Sequence, residues 1–265
     1  MIPTMIYGTA WKKQQTAALV EKALEVGFRA IDTANQPKHY HEPGVGEAVR
    51  AYLKTRPRES LFLQTKFTSV DGQDERVPYN PKAPLIDQVE QSLKSSLEHL
   101  GVDYLDSLLI HGPCGHPGLV EEDVEVWRVL ESFVASGRVR SIGISNVNYL
   151  QLEELLGIAR VKPTWVQNRC FAMRGWDDTV RKICREAGIL YQGFSLLTAN
   201  PEVVMNTGVR QVAGKRGCTA PEVVFAYARS LGILPLTGTT DETHMRQDLT
   251  PLLLSEEEIQ TLGCL

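Results

Sequence analysis

The chain has 265 residues, with 28 Lys and Arg against 32 Asp and Glu, a formal net charge of −4, 43% hydrophobic residues and 23% charged ones. That composition is ordinary for a globular protein and lies outside the disordered range. A weakly acidic chain with no run of five basic residues lacks the electrostatic footprint of a nucleic-acid binder.

The opening stretch MIPTMIYGTAWKKQQ has no charged segment followed by an apolar one and a small-residue cleavage site, so no signal peptide is expected. Charged residues interrupt every apolar segment before the roughly 20 residues needed to span a bilayer, so no membrane association is expected. The five cysteines, Cys114, Cys170, Cys184, Cys218 and Cys264, are scattered and form no CxxC pair. They suggest a reducing, cytoplasmic setting and no metal site.

Strand-like and helix-like stretches alternate from end to end. IYGTAW at 6–11 is followed by a helix from Thr16 with Leu19, Val20, Ala23 and Leu24 on one face. FRAIDTA at 28–34 reads as a strand, GVGEAVRAYL as a helix, and LFLQTKF at 61–67 as a buried strand. A polar loop, DGQDERVPYNPKA, spans 71–83 and is a candidate substrate rim. The next helix carries Ile86, Val89, Leu93, Leu97 and Leu100 at spacings of three and four. YLDSLLIHGP at 104–113 leads to a helix striped by Val120, Val124, Trp127, Leu130 and Val134, ended at Gly137, and then to VRSIGISN. TWVQN at 164–168, ILYQGFS at 189–195 and ILPLTG at 233–238 supply three more strands, with helices at 177–187 and 222–231. The S/T-x-x-E capping box marks two helix starts, at Thr219–Glu222 and Ser255–Glu258. About eight strand–helix units in a chain of this length predict a (β/α)8 TIM barrel, one domain over 1–265.

In such a barrel, polar residues at the C-terminal ends of strands converge on one mouth. Asp32, Lys66 and His111 each follow an apolar run, on the second, third and fourth strands. Three adjacent strands therefore direct a carboxylate, an ammonium and an imidazole at one point. Lys66 alone could serve as the nucleophile of a Schiff-base lyase, but that needs a desolvated neutral amine and Asp32 works against it.

IDTA at 31–34, Gly44-Val-Gly46, TK at 65–66, LIHGP at 109–113 and above all SGRVRSIGISN at 136–146 resemble the aldo-keto reductases, over nearly the whole chain. The resemblance implies a barrel that binds a nicotinamide cofactor and reduces carbonyl groups with an Asp, Tyr, Lys and His tetrad. Asp32, Lys66 and His111 fall on that pattern. Pro37 stands where the family has its Tyr, and the longer loop ANQPKHYHEPGVG offers Tyr40 instead, flanked by His39 and His41, which read as solvated loop residues.

A phenol is too weakly acidic alone, and an adjacent Lys66 held charged by Asp32 is expected to bring the Tyr40 pKa toward working pH. His111 would orient the carbonyl oxygen. The alternative is a nucleotide-binding regulatory barrel, for family membership does not ensure catalysis. The resemblance also assigns cofactor contacts. They are Ser145, Asn146 and Gln167 on the carboxamide, Phe194 stacked on the nicotinamide, and Ser195 with the loop through Leu197 and Thr198 near the pyrophosphate. Gly238, Thr239, His244 and Asp248 follow the last strand. Family members that prefer NADPH place a Lys-Ser pair and an Arg there, whereas this chain reads LTGTTDETHMRQDL, with Arg246 as the only strong cation. NADPH is expected on the family pattern, with NADH also used. The expected partner is a small-molecule carbonyl substrate, bound by a monomer or small homo-oligomer. Gly112, where the family often has a bulky Trp, predicts a wide pocket, walled by Trp11, Phe67, Trp176 and Tyr79.

Overall fold

The computed structural model describes residues 3–263. Cys264 therefore lies outside the described residues. The strands are β1 (Ile6–Gly8), β2 (Ala30–Asp32), β3 (Phe62–Phe67), β4 (Ser107–Ile110), β5 (Ile142–Ser145), β6 (Trp165–Arg169), β7 (Leu190–Phe194) and β8 (Ile233–Thr237). All pair in parallel and in sequence order, and β8 returns to β1 to close the barrel. The expected (β/α)8 architecture is the one observed.

The helices are α1 (Thr16–Val26), α2 (Glu42–Leu53), α3 (Leu85–Leu100), α4 (Glu121–Ala135), α5 (Tyr149–Ile158), α6 (Asp178–Ala187), α7 (Pro201–Val204), α8 (Thr207–Arg216), α9 (Ala220–Ser230), α10 (Glu242–Asp248) and α11 (Glu256–Leu262). Both capping boxes are in place: Thr219 and Ser255 accept from the backbone N–H of Glu222 and Glu258, which return a side-chain bond to the cap. The main core lies between the sheet and the helices, where Trp127, Leu130 and Phe133 of α4 are fully buried beside Leu93 and Leu100 of α3. Each such side chain contributes about 1.5–3 kcal/mol by leaving water. A Cβ on Gly46 would lie 1.8 Å from the His99 carbonyl oxygen, so the close approach of α2 to the end of α3 requires glycine.

Register places the functional residues in layers across the barrel. Asp32 pairs with Gln64, Ser145 with Gln167, and Gln167 with Gln192. The interior is thus polar at this level rather than filled only by the branched apolar side chains usual in such barrels.

Candidate active site

A cleft of about 800 Å³ opens at the C-terminal ends of the strands, within the range of small-molecule sites. Trp11, Asp32, Tyr40, His111, Ser145, Asn146, Gln167, Phe194, Ser195, Leu197, Gly238, Thr239, His244 and Asp248 all line it. Three of these, Trp11, Asn146 and Ser195, are non-glycine residues held at positive φ (64°, 54° and 58°). Backbone strain of this kind collects where side chains must be aimed.

Lys66 is buried at the base, and its Nζ donates to Asp32 Oδ1 at 2.8 Å, Asp32 Oδ2 at 2.6 Å and the Thr33 carbonyl at 2.8 Å. Its three N–H groups are therefore all accepted. Burial lowers the ammonium's pKa, opposed by the charge and hydrogen bond of Asp32 and by the charge of Glu42. The Lys66 Nζ lies 5.3 Å from the centre of the Tyr40 ring, and that ring meets the His111 ring edge-on at 5.8 Å. The loop after β2 thus carries Tyr40 to the mouth over Lys66, although the residue falls eight positions after Asp32.

Burial, seconded by Asp32, raises the Tyr40 phenol well above its ordinary value. This corrects the expected lowering by Lys66: desolvation dominates, and Tyr40 is a protonated phenol. His111 Nδ1 is 2.7 Å from Thr68 Oγ1, and burial, then the charges of Lys66 and His39, push its pKa down to about 3. His111 is a neutral imidazole at physiological pH. His39, read as solvated, is half-buried with its ring 4.1 Å from that of Trp11, while His41 is exposed.

Around the cleft, Ser145 Oγ donates to the Gln167 carbonyl at 2.7 Å, and Asn146 Nδ2 donates to the His111 carbonyl at 2.7 Å. Gln167 Nε2 is committed to Asp32 Oδ1 at 3.0 Å and Gln192 Oε1 at 2.9 Å, which leaves Oε1 as its available atom. At the far end Asp248 is buried, accepts from Thr237 Oγ1 at 2.6 Å and has its pKa raised by burial to about 6.

The pattern that defines the Aldo/keto reductase family matches residues 4–263. This chain belongs to that family. It is 30% identical to the glycerol 2-dehydrogenase (NADP(+)) of Hypocrea jecorina, over 98% of this chain and 87% of that protein. It is 28% identical to aldo-keto reductase family 1 member A1 of Xenopus tropicalis, over 100% of this chain and 85% of the other. Among solved structures, the Brucella melitensis aldo/keto reductase superposes with a TM-score of 0.82 at 24% identity, covering 99% of this chain and 94% of the other. An aldo-keto reductase solved with NADPH gives 0.80 at 23%, covering 99% and 84%. As an aldo-keto reductase, the protein is an NADP-dependent oxidoreductase, of a family that reduces carbonyl compounds. Among the described residues no helix is long and apolar enough to cross a membrane.

Parts of the expected substrate wall of this aldo-keto reductase need correction. Phe67 is buried and packs on Tyr79 at 5.7 Å, and Trp176 is buried against Tyr227 at 5.9 Å. Both rings belong to the hydrophobic core rather than the cleft lining. The 71–83 loop also stays out of the cleft lining. Its Tyr79 donates to the Thr68 carbonyl at 2.7 Å and so braces the residue that holds His111. Gly112 sits beside Asn146, where an added Cβ would meet that residue's Cβ at an ordinary 3.6 Å, so the position has room.

Two cations escaped the sequence reading. Lys12 is buried, donates to the Gly238 carbonyl at 2.8 Å and lies over the Tyr7 ring; burial lowers its pKa to about 8. Arg169 lines the cleft with its guanidinium 5.9 Å from the Phe194 ring. Arg246, expected to be the nearby cation, is tied to Glu242 at 2.7 Å on the exposed side of α10. Lysine at 12 was visible in the sequence, but only barrel closure brings β1 beside β8.

Proposed function

We propose that this aldo-keto reductase reduces an aldehyde or ketone with Tyr40 as proton donor, assisted by Lys66, Asp32 and His111. The observation that carries this reading is the placement of the buried Lys66–Asp32 pair beneath Tyr40, beside a neutral His111, on the floor of one cleft. The reduced nicotinamide cofactor supplies the hydride. The carbonyl oxygen takes the phenolic proton of Tyr40, whose raised pKa keeps that proton in place until a far more basic alkoxide oxygen develops. Lys66 then stabilises the tyrosine oxygen as it loses its proton. In the tautomer in which Thr68 Oγ1 donates to Nδ1, His111 presents its Nε2–H to hold the carbonyl oxygen.

The free polar atoms of the cleft fit a nicotinamide. Gln167 retains only an acceptor, complementary to a carboxamide N–H, beside the Ser145 and Asn146 side chains. The half-exposed Phe194 offers a stacking face, and Ser195 through Thr198 border the space for a pyrophosphate. Gly238, Thr239, His244 and Asp248 border the far end, with Lys12 behind it on the Gly238 carbonyl and Arg229 close enough for its charge to act on Asp248, while Arg169 lines the cleft beside Phe194. We infer use of NADH beside NADPH, because the far end lacks the fixed pair of cations. Trp11 gives the cleft mouth an exposed aromatic wall that suits an apolar carbonyl compound, and Gly112 itself does not line the cleft.

A Schiff-base role for Lys66 is disfavoured, since three accepted N–H groups leave no free lone pair. Tyr40→Phe should lower kcat for a panel of aldehydes and ketones by about 10²–10⁴-fold, read as loss of NADPH absorbance. NADPH binding, followed by fluorescence, should persist. Wild-type turnover in this variant overturns the assignment.

A further inference from the structure

Four buried polar side chains cross the barrel beneath the cleft. Gln64 and Gln192 are fully enclosed, and Asp32 and Gln167 nearly so. Gln64 Nε2 donates to Asp32 Oδ1 at 2.7 Å and to Gln192 Oε1 at 2.8 Å. Gln192 Nε2 returns a bond to Gln64 Oε1 at 3.0 Å. Gln167 Nε2 reaches the same two acceptors, Asp32 Oδ1 and Gln192 Oε1. Such buried amides are costly unless paired, and here the pairing fixes every orientation. An ionised carboxylate accepts only, so Gln64 and Gln167 must both turn their NH₂ groups toward Asp32. The second hydrogen of each then goes to Gln192 Oε1, and Gln192 has only its own NH₂ to offer Gln64.

We propose that Gln64, locked by Gln192, is a positioning residue for carbonyl reduction: it holds the Asp32 carboxylate against Lys66 and fixes the Gln167 amide with its oxygen left for the cofactor. The inference rests on the proposed roles of Asp32, Lys66 and Tyr40. Gln64 touches neither substrate nor cofactor. It acts through Asp32, whose Oδ1 it shares with Lys66 and Gln167. If the carboxylate rotates, Lys66 Nζ loses one of its two Asp32 contacts and its fixed place under Tyr40.

Gln64→Met keeps nearly the same volume and removes the donor. It should lower kcat about tenfold while the KM for the carbonyl substrate and the NADPH dissociation constant, measured by fluorescence, each change less than about threefold. In an Asp32→Asn background the same substitution should produce less than about a twofold further loss, because the group it positions has already been changed. A kcat within about twofold of wild type, or a full tenfold loss in both backgrounds, overturns the proposal. Should Gln64→Met fail to fold, Gln192→Met removes the lock and leaves Gln64 on Asp32. It should show the same kcat-only loss at smaller amplitude, and an unchanged kcat again overturns the proposal. Tyr40→Phe and Lys66→Met serve as controls in the same assay. Wild-type turnover in those would show instead that the underlying assignment of the site is wrong.

Discussion

The two ends of the cleft are built differently. At the β2–β4 end the charged pair is buried and partnered within the barrel, Asp32 with Lys66, Gln64 and Gln167, and the neutral His111 is bonded to Thr68. At the β8–α10 end Lys12 and Asp248 are buried but bonded to neutral groups, the Gly238 carbonyl and the Thr237 hydroxyl, while on the outer side Glu242 takes both Arg246 and Lys22 at 42% exposure. The first end tolerates little change because a broken buried pair leaves a desolvated charge, whereas the outer ion pairs of the second are screened by water. Fixed chemistry therefore belongs to one end, and the fine choice of cofactor to the other.

The sharpest way to break this contrast is Lys66→Met. It should lower kcat by about 10²–10⁴-fold. It should also destabilise the fold by about 3–5 kcal/mol, lessened by the donors that Gln64 and Gln167 still give Asp32. Arg246→Ala, at the other end, should leave denaturant stability close to wild type. Equal losses from both would show that the two ends are not distinct.

This contrast also marks what was legible. The strand-end run of Asp32, Lys66 and His111 follows from apolar patterning, since a polar residue closing a buried strand must face the mouth. α5 and α8 were not anticipated: α5 is apolar on more than one side, and α8 contains Gly208 and Gly214. Both begin at asparagine caps, Asn148 and Asn206, whose side chains accept from the first turn and which were the available signal. Phe67, at the end of β3, and Trp176, in the turn before α6, were misplaced because an aromatic residue at the mouth end of a barrel fits a core and a cleft equally well until side-chain direction is known. The Gln64–Gln192 contact joins residues 128 apart, and nothing local in the sequence announces it.

A smaller effect concerns the far end alone. Burial lowers the Lys12 pKa to about 8, so without ligand its charge is lost as pH rises through that value. An anionic cofactor group nearby favours the protonated form, and affinity for NADPH should therefore be highest below pH 8 and weaken above it. Titrations from pH 6.5 to 9.5 should show this decline in wild type and a flat, weaker profile in Lys12→Met. The kcat/KM preference for NADPH over NADH should stay below about a thousandfold, equivalent to roughly 4 kcal/mol. A larger preference with no dependence on Lys12 would mean that another cation holds the 2′-phosphate, with Arg169 the first to test.

A last test separates stability from binding at Asp248. Burial raises its carboxyl pKa to about 6, with the Thr237 hydroxyl, His244 and Arg229 acting in the opposite direction and Glu222 reinforcing the rise. Between about pH 4 and 6 the unfolded chain has released this proton and the folded one retains it. The native state binds more protons there, so stability attributable to this group falls as pH rises and stays reduced above pH 6. Asp248→Asn keeps an acceptor for Thr237 and cannot ionise. It should therefore stay close to wild type in denaturant stability at pH 4 and exceed it by up to about 3 kcal/mol at pH 8. An equal gain at both pH values would assign the effect to packing, and a loss at pH 8 would show that the ionised carboxylate is itself favourably held.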